Sequence, residues 1–235
     1  MLKHVKIKNV YLLFRIFIGF LLIVSILGIF INTDDDSISR NIFVAMQSLA
    51  LLLLSFGPSY AEKKLKIQIP NFMESIFLIF IIASLLFGEI AEFFVHISWW
   101  DDILHTTSGL LVSIVGFSII NTAVNDPHKK IVLNPIVVAI FVFSFSMTVE
   151  VIWEMFEYSI DSLISSSNMM RTRDSISLVP FEGLFAIKDT MNDIILTFIA
   201  SFIISTLGFF DTKYKLGIFN RWIITKKEES SENKI

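Results

Sequence analysis

Cysteine is absent from this chain of 235 residues, and charged residues, glycine and proline are scarce. Without cysteine the chain has no disulfide framework, thiolate metal site or cysteine nucleophile. Charged residues make up 17% of the chain, against about 25% in a typical soluble domain. In their place the chain has 54% hydrophobic residues and 24 phenylalanines, with a mean hydropathy of +0.71. This composition excludes a disordered chain and a nucleic-acid-binding arm, and it predicts a polytopic membrane protein.

Six apolar stretches are long enough, or nearly long enough, to cross a bilayer as helices, which takes about 20 apolar residues. They cover residues 10–31, 41–56, 71–95, 102–124, 135–158 and 190–210. The first follows three lysines, as a signal peptide would, but its apolar run is too long for one, so we interpret it as a retained helix. We predict an all-α fold, a transmembrane bundle of six helices. It forms one domain over residues 1–210, followed by a cytoplasmic tail over residues 211–235.

Basic residues are distributed unevenly between alternate loops. Of the 19 lysines and arginines, 14 lie at the N-terminus, in the second and fourth loops or in the C-terminal segment. The exceptions are Arg15, Arg40, Arg171, Arg173 and Lys188. Because short loops rich in Lys and Arg stay in the cytoplasm, both termini are predicted to be cytoplasmic in the plasma membrane. Most of the 22 acidic residues lie on the opposite, outer side.

Acidic side chains and one histidine recur at the outer ends of the last four predicted spans. In chain order they are Glu89, Glu92, Asp101, Asp102, His105, Glu150, Glu154, Glu157, Asp161, Asp189 and Asp193. Because successive spans alternate in direction, these residues are predicted to share one membrane depth. The four acids of the fifth span also fall within an arc of about 60° on one helical face. A carboxylate inside a bilayer is costly, so we expect the site to face the interior of the helix bundle and to be neutralised by a proton, a partner or a metal.

Some of these residues also have a purely structural interpretation. Asp101 and Asp189 lie where helix N-caps are expected, and His105 could be a hydrogen-bonded core histidine. Arg171 and Arg173, in the long loop before the last span, could lie on a solvated surface, neutralise the acids or bind an anionic substrate group such as phosphate. Capping does not explain acids in mid-span, so for those a buried functional role is favoured.

Oxygen ligands combined with one imidazole suit a divalent metal ion such as Mg, Mn, Ca, Fe or Zn. The predicted metal ligands are Asp102, His105, Glu150, Glu154 and Asp193. Asp102 and His105 are three residues apart, which places both side chains on one face of a helix. Glu89 or Glu157 is the predicted general base. The identity of the ion does not follow from these residues.

Several segments together resemble a known family. They are Trp99-Trp100-Asp101-Asp102-Ile103-Leu104-His105-Thr106-Thr107-Ser108-Gly109, Glu150-Val151-Ile152-Trp153-Glu154-Met155-Phe156-Glu157-Tyr158-Ser159-Ile160-Asp161, Asn168-Met169 and Asp189-Thr190-Met191-Asn192-Asp193. In this order they resemble the YjdF-like family of multi-pass bacterial and archaeal membrane proteins, and more distantly VanZ-like membrane proteins. The resemblance implies a multi-pass fold and marks which residues form the site. Thr197 and Ser201 stand where the family pattern suggests a further acid and a glycine.

Three functions fit this pattern. The first is a metal-dependent enzyme acting on a lipid or lipid-linked substrate at the outer leaflet. The second is a cation- or proton-coupled transporter, whose acids would form the binding step. The third is a non-catalytic membrane module that binds a partner through its acidic outer face. The site's depth in the bilayer favours the first.

Overall fold

The computed structural model describes residues 7–124, 133–164 and 167–226 of the chain. Six of its helices are long and apolar enough to cross a membrane, so the predicted all-α fold with six candidate transmembrane helices is confirmed. Part of the predicted tail, residues 227–235, lies outside the described residues, as do the lysines predicted in the fourth loop. The described chain divides into two compact units, Met1–His96 with Lys226–Ile235, and Ile97–Thr225. The interpretation as a single domain over residues 1–210 stays a prediction.

Eight α-helices follow one another along the described chain. They are α1 (Ile7–Ile31), α2 (Asp35–Leu54), α3 (Gly57–Leu65), α4 (Asn71–Ile81), α5 (Phe93–His96), α6 (Trp100–Val124), α7 (Pro135–Leu163) and α8 (Lys188–Tyr214). A π-helical segment covers Ile82–Ile90 and a 3₁₀ turn covers Gly183–Ile187. Two strands of two residues each, β1 (Ile67–Gln68) and β2 (Thr225–Lys226), complete the elements.

The second helix starts six residues before the predicted span. The Asp34 side chain accepts a hydrogen bond from the Ser37 backbone N–H at 2.8 Å, which is the N-cap arrangement expected before a helix. Hydrogen bonds from Ser37 hold the pKa of Asp34 below its usual value. The helix ends before Gly57-Pro58, because proline is tolerated in the first turn of the next helix and not inside a continuing one.

In the first unit, α1 packs against α2 in a buried apolar cluster that α4 completes. Its members are Tyr11, Phe14, Ile18, Leu51, Leu78 and Ile81. Arg15 anchors this pair of helices: its guanidinium donates to the hydroxyl of Ser55 at 3.0 Å and to the carbonyl of Ser55 at 2.6 Å. The same guanidinium lies 3.9 Å from the ring centre of Phe56. An arginine inside an apolar helix is thus satisfied by the end of α2.

The third predicted span, residues 71–95, is not one continuous α-helix. It changes from α to π geometry at Ile82, and the helix ends where Glu92 takes a left-handed backbone with φ of 61°. Gly88 lies under the Phe94 ring, and a Cβ added there would come within 2.4 Å of a ring carbon. This close approach requires glycine, and it lets α5 fold back immediately after the π-helical segment. Because π-helical turns are frequent at functional sites, the position of Glu89 inside this segment is notable.

In the second unit, α6, α7 and α8 pack closely because small residues line their contacts. A Cβ added to Gly109 of α6 would lie 3.1 Å from Ala200 Cβ and 3.2 Å from Thr197 Cα of α8. The Ser146 hydroxyl of α7 donates to the Gly109 carbonyl at 3.2 Å, and the Thr197 hydroxyl donates to the His105 carbonyl at 3.2 Å. Small residues and interhelical hydrogen bonds of this kind hold membrane helices together, and here they fix His105 next to α8.

Candidate functional site

The candidate site lies in the second unit, where the start of α6, the second half of α7 and the start of α8 meet. Asp101 and His105 come from α6, Glu150, Glu154 and Glu157 from α7, and Asp189 and Asp193 from α8. The three glutamates of α7 are all buried, as a single acidic stripe facing the other helices requires. His105 is 5% exposed and Asp193 is 1% exposed. The site is therefore inside the helix packing.

His105 connects two groups of acids through the two nitrogens of its ring. Its Nδ1 lies 2.8 Å from Glu150 Oε1. Its Nε2 lies 3.7 Å from Asp101 Oδ1 and 4.0 Å from Asp193 Oδ2. When Nδ1 carries the proton of the hydrogen bond to Glu150, a neutral ring directs the lone pair of Nε2 towards two carboxylates. Three acceptor atoms, the Nε2 of His105 and one carboxylate oxygen each of Asp101 and Asp193, then face one another. A cation or a proton between them would stabilise this arrangement.

Two buried carboxylates of the site lack hydrogen-bond partners among the described residues. Both oxygens of Glu154 and both oxygens of Asp193 are buried without a hydrogen bond. The Thr190 hydroxyl lies near Glu154 but outside hydrogen-bonding geometry. Leaving a buried carboxylate uncompensated costs several kcal/mol, and Glu154 and Asp193 are therefore groups that could hold a proton or a metal ion.

Two sets of three side chains have ligand atoms close enough to share a metal ion. The first is Asp101, His105 and Asp193, and the second is His105, Glu150 and Glu154; within each set the atoms lie within 4.8 Å of one another. Oxygen ligands with one imidazole nitrogen suit divalent ions from Mg and Mn to Zn. The residues fit a metal ion, because their donor types are right and because Glu154 and Asp193 have no competing hydrogen bond in the described part of the chain.

The first set uses Asp101 in place of the predicted ligand Asp102. The Asp102 carboxylate accepts a hydrogen bond from the Asn192 amide of α8 at 2.6 Å, and Asp102 belongs to neither set. Both aspartates lie within one turn of His105, at spacings of three and four residues, so spacing alone does not choose between them. The helix rotation directs Asp101 to His105 and Asp102 to α8.

Arg171 borders the site from the loop between α7 and α8. Its Nη2 lies 3.3 Å from Asp101 Oδ2, and its Nη1 lies 3.7 Å from Asp189 Oδ1. The structure therefore places the Arg171 guanidinium beside the acidic residues of the site. Asp189 lies in the first turn of α8, whose N-cap is Ile187, so the N-cap interpretation of Asp189 is wrong.

Asp161 and Arg173 hold this loop in place. Asp161 accepts hydrogen bonds from the Ser167 hydroxyl at 2.6 Å and from the backbone N–H groups of Met169 and Met170 at 2.9 Å and 3.0 Å. Arg173 donates to the Ser167 carbonyl at 2.6 Å. Asp161 thus ends the acidic stripe of α7 as a structural anchor for the loop.

The remaining candidate residues lie in two different parts of the structure. Glu157 is buried in α7, one turn after Glu154. Glu89 and Glu92 belong to the first unit, where the Glu92 carboxylate lies 3.3 Å from the Arg40 guanidinium and 3.6 Å from His96 Nε2. The participation of these two glutamates in the site stays a prediction.

Sequence reasoning missed the contributions of Asn192 and Thr197. Asn192 holds Asp102 and Thr197 holds the carbonyl of His105. Thr197 follows Asp193 by four residues, the helical spacing that places both on one face. That spacing could have identified Thr197 as a residue of the site from the sequence.

Comparison with known proteins assigns a family to the chain. No curated protein and no solved structure matches it. A family model described as a predicted membrane protein matches residues 13–213, from within α1 to the last turn of α8, and it carries neither the YjdF-like name nor the VanZ likeness. The chain belongs to this family of predicted membrane proteins, DUF2238.

Proposed function

We propose that this protein is a metal-dependent membrane enzyme acting on a lipid or lipid-linked substrate. The observation that carries the proposal is the position of His105. Glu150 accepts a hydrogen bond at Nδ1 while Nε2 faces Asp101 and Asp193. A carboxylate behind a histidine that faces a metal ion is a common arrangement in metalloproteins, because the carboxylate orients the ring and raises its basicity.

Each residue of the site has a role in this proposal. Asp101, His105 and Asp193 are the metal ligands, and Glu150 is a positioning residue behind His105. Glu154 lies on the other side of the ring, where it completes the second set of possible ligands. Glu157, one of the two general bases that the sequence offers beside Glu89, is the general base in this proposal; it is buried one turn from Glu154. When bound, a divalent ion would polarise a substrate oxygen or activate water.

The location of the site favours a membrane substrate. His105, Glu154 and Asp193 lie one to three turns inside helices that are long enough to cross a bilayer, near the ends of those helices. A lipid or lipid-linked molecule brings its polar group to this depth. The resemblance to the YjdF-like family is consistent with this proposal and adds no reaction to it.

The metal content of the purified protein tests the proposal, and two neighbouring aspartates supply a matched pair. We expect wild-type protein to retain about one divalent ion per chain by elemental mass spectrometry, and Asp101→Asn to lose it, because the substitution removes a charged ligand of the ion. Asp102→Asn is the control, since Asp102 bonds Asn192 and lies outside both sets. Wild-type protein without metal, or equal metal in both variants, would contradict the proposal.

One observation favours the transporter as a second candidate. Thr197, Ser201 and Ser205 continue from Asp193 along α8 at intervals of four residues, and all are buried. Their hydroxyls donate to backbone carbonyls or, for Ser201, also approach the Met147 sulfur, which suits helix packing as well as a polar path. Metal- or pH-driven flux in proteoliposomes that Asp193→Asn abolishes would favour transport. The partner-binding alternative has no such observation behind it.

A further inference from the structure

We propose that α6 and α8 together bind the headgroup of a lipid that carries both a phosphate and a primary ammonium group, as phosphatidylethanolamine does. Asp102 accepts hydrogen bonds from the ammonium group, and Lys188 binds the phosphate. The inference goes beyond the proposed function, because it names a lipid class and two residues outside the metal ligands. It needs no metal ion.

Two open grooves meet where the starts of α6 and α8 touch. The α6 groove has a volume of about 360 Å³ and is lined by Trp99, Asp102, Ile103, Thr106 and Thr107. The α8 groove has a volume of about 280 Å³ and is lined by Leu184, Ile187, Lys188, Met191, Asn192 and Ile195. The Asn192 amide donates to the Asp102 carboxylate at 2.6 Å, so the wall of one groove is bonded to the wall of the other. A molecule that lies across this hydrogen bond contacts both grooves.

The two grooves carry charges of opposite sign. Asp102 is the charged residue in the lining of the α6 groove, and Lys188, which is exposed, is the charged residue in the lining of the α8 groove. Lys188 and Asn192 are four residues apart in α8, which places them on one helical face. Asn192 bonds Oδ1 of Asp102, which leaves Oδ2 for a ligand. A headgroup with one cationic and one anionic group complements this pair of charges.

The depth and the apolar lining of the grooves suit a membrane lipid. Ile103, Met191 and Ile195 are each about half exposed, and they belong to helices long enough to cross a bilayer, so their exposed faces suit contact with lipid chains. Asp102 lies in the first turn of α6 and Lys188 is the first residue of α8. Both charges therefore lie at helix starts, where headgroups are expected. The exposed Trp99 side chain in the α6 groove is typical of the same depth.

The α6 groove favours a primary ammonium group over a methylated one. The Thr106 hydroxyl donates to the Asp102 carbonyl at 2.7 Å, so its oxygen is left as an acceptor beside the Asp102 carboxylate. Acceptors of this kind bind N–H groups, of which a primary ammonium has three and a trimethylammonium group has none. A lipid with phosphate alone would bring a second negative charge towards Asp102. The lining therefore selects a phosphoethanolamine headgroup.

Native mass spectrometry of the full-length protein in detergent tests this inference, with dioleoyl phosphatidylethanolamine as the probe. We expect Asp102→Asn to weaken binding about tenfold or more, the loss typical of one hydrogen bond to a charged group. Asparagine keeps an oxygen for the Asn192 amide, so the contact between α6 and α8 is retained. Lys188→Gln should weaken binding by a similar factor. Because Lys188 is exposed, this second variant keeps the fold and tests the inference independently.

Matched controls and comparison lipids separate this headgroup site from a general effect of charge. Asp36→Asn changes an exposed acid in the first turn of α2, and Lys213→Gln changes an exposed lysine in the last turn of α8; both should bind as wild type. Dioleoyl phosphatidylcholine should bind several-fold more weakly than phosphatidylethanolamine. Dioleoyl phosphatidic acid should bind more tightly to Asp102→Asn than to wild type, because the repelling charge is gone. Equal binding of the three lipids, or equal losses in the control variants, would overturn the inference.

Metal content measured on the same samples distinguishes this inference from the proposed function. Retained metal with weakened phosphatidylethanolamine binding in Asp102→Asn and Lys188→Gln supports the headgroup site. Metal in the wild type without a preference for phosphatidylethanolamine would overturn this inference and leave the proposed function standing. Wild-type protein that lacks metal and still binds phosphatidylethanolamine through Asp102 and Lys188 would do the reverse.

Discussion

At the scale of single residues, Glu150 determines which nitrogen of His105 is free. Its carboxylate lies 2.8 Å from Nδ1, and both side chains are almost fully buried. Glu150→Gln keeps an oxygen that can accept the Nδ1 hydrogen and removes the negative charge. We expect the affinity for a divalent ion to fall about 10- to 100-fold, as for other residues that support a ligating histidine, while the fold is retained.

Competition with a calibrated chelator measures this affinity, and thermal unfolding of the same samples reports the fold. Glu182→Gln is the control, because Glu182 is exposed in the loop before α8 and the substitution changes the charge by the same amount. If Glu150→Gln binds metal as tightly as wild type, then Glu150 does not support the ring through its charge.

The residue types predict much of this site, but they do not show which of two adjacent aspartates, Asp101 or Asp102, contacts His105. The acids of α7 could be placed on one buried face from a spacing of three and four residues. Asp101 and Asp102 could not be separated, because both spacings from His105 allow contact and a small rotation of α6 decides between them. The left-handed backbone of Arg171 could not be predicted either, since it depends on hydrogen bonds from a loop of irregular structure.

At the scale of helices, α6 and α8 approach each other closely at Gly109. A Cβ there would lie 3.1–3.2 Å from Ala200 and from the backbone of Thr197, which is four residues after Asp193. Gly109→Ala should push the two helices apart at the level of the site, costing about 1–3 kcal/mol and weakening metal binding several-fold. Gly19→Ala is the matched control in α1, because nothing lies within 4 Å of its added Cβ.

Unfolding of both variants in the same detergent, with metal affinity measured alongside, checks this prediction. Gly19→Ala should be neutral or more stable by up to about 1 kcal/mol, the difference in helix propensity. Equal stability and equal metal affinity for the two variants would show that α6 and α8 tolerate a methyl group between them.

Helix boundaries show where prediction at this scale succeeds and where it does not. Apolar length and proline positions predict all six candidate spans, since both act locally. The π-helical segment Ile82–Ile90 could not be predicted, because its geometry accompanies the packing of the Phe94 ring on Gly88. That contact comes from residues after the helix and leaves no periodic signal within it.

At the scale of the whole molecule, the charge distribution predicts which side of the membrane the site faces. Basic residues concentrate in alternate loops, so both termini and the loop with Lys64 are expected in the cytoplasm. The loop between α7 and α8, which carries Arg171, is expected outside. Helix length and apolarity are the same in either direction, so the fold itself does not test this orientation.

The absence of cysteine makes the orientation directly measurable, because an introduced cysteine can be labelled without background from native thiols. Ser175 and Lys64 are both exposed, in the loop before α8 and in α3. A membrane-impermeant maleimide should label Ser175→Cys in intact cells and Lys64→Cys only after permeabilisation, while the cysteine-free wild type stays unlabelled. The reverse pattern would place the Arg171 loop in the cytoplasm, and the proposed lipid or lipid-linked substrate would then come from the inner leaflet. Labelling of both variants in intact cells would indicate that the chain inserts in both directions, which the strong asymmetry of Lys and Arg argues against.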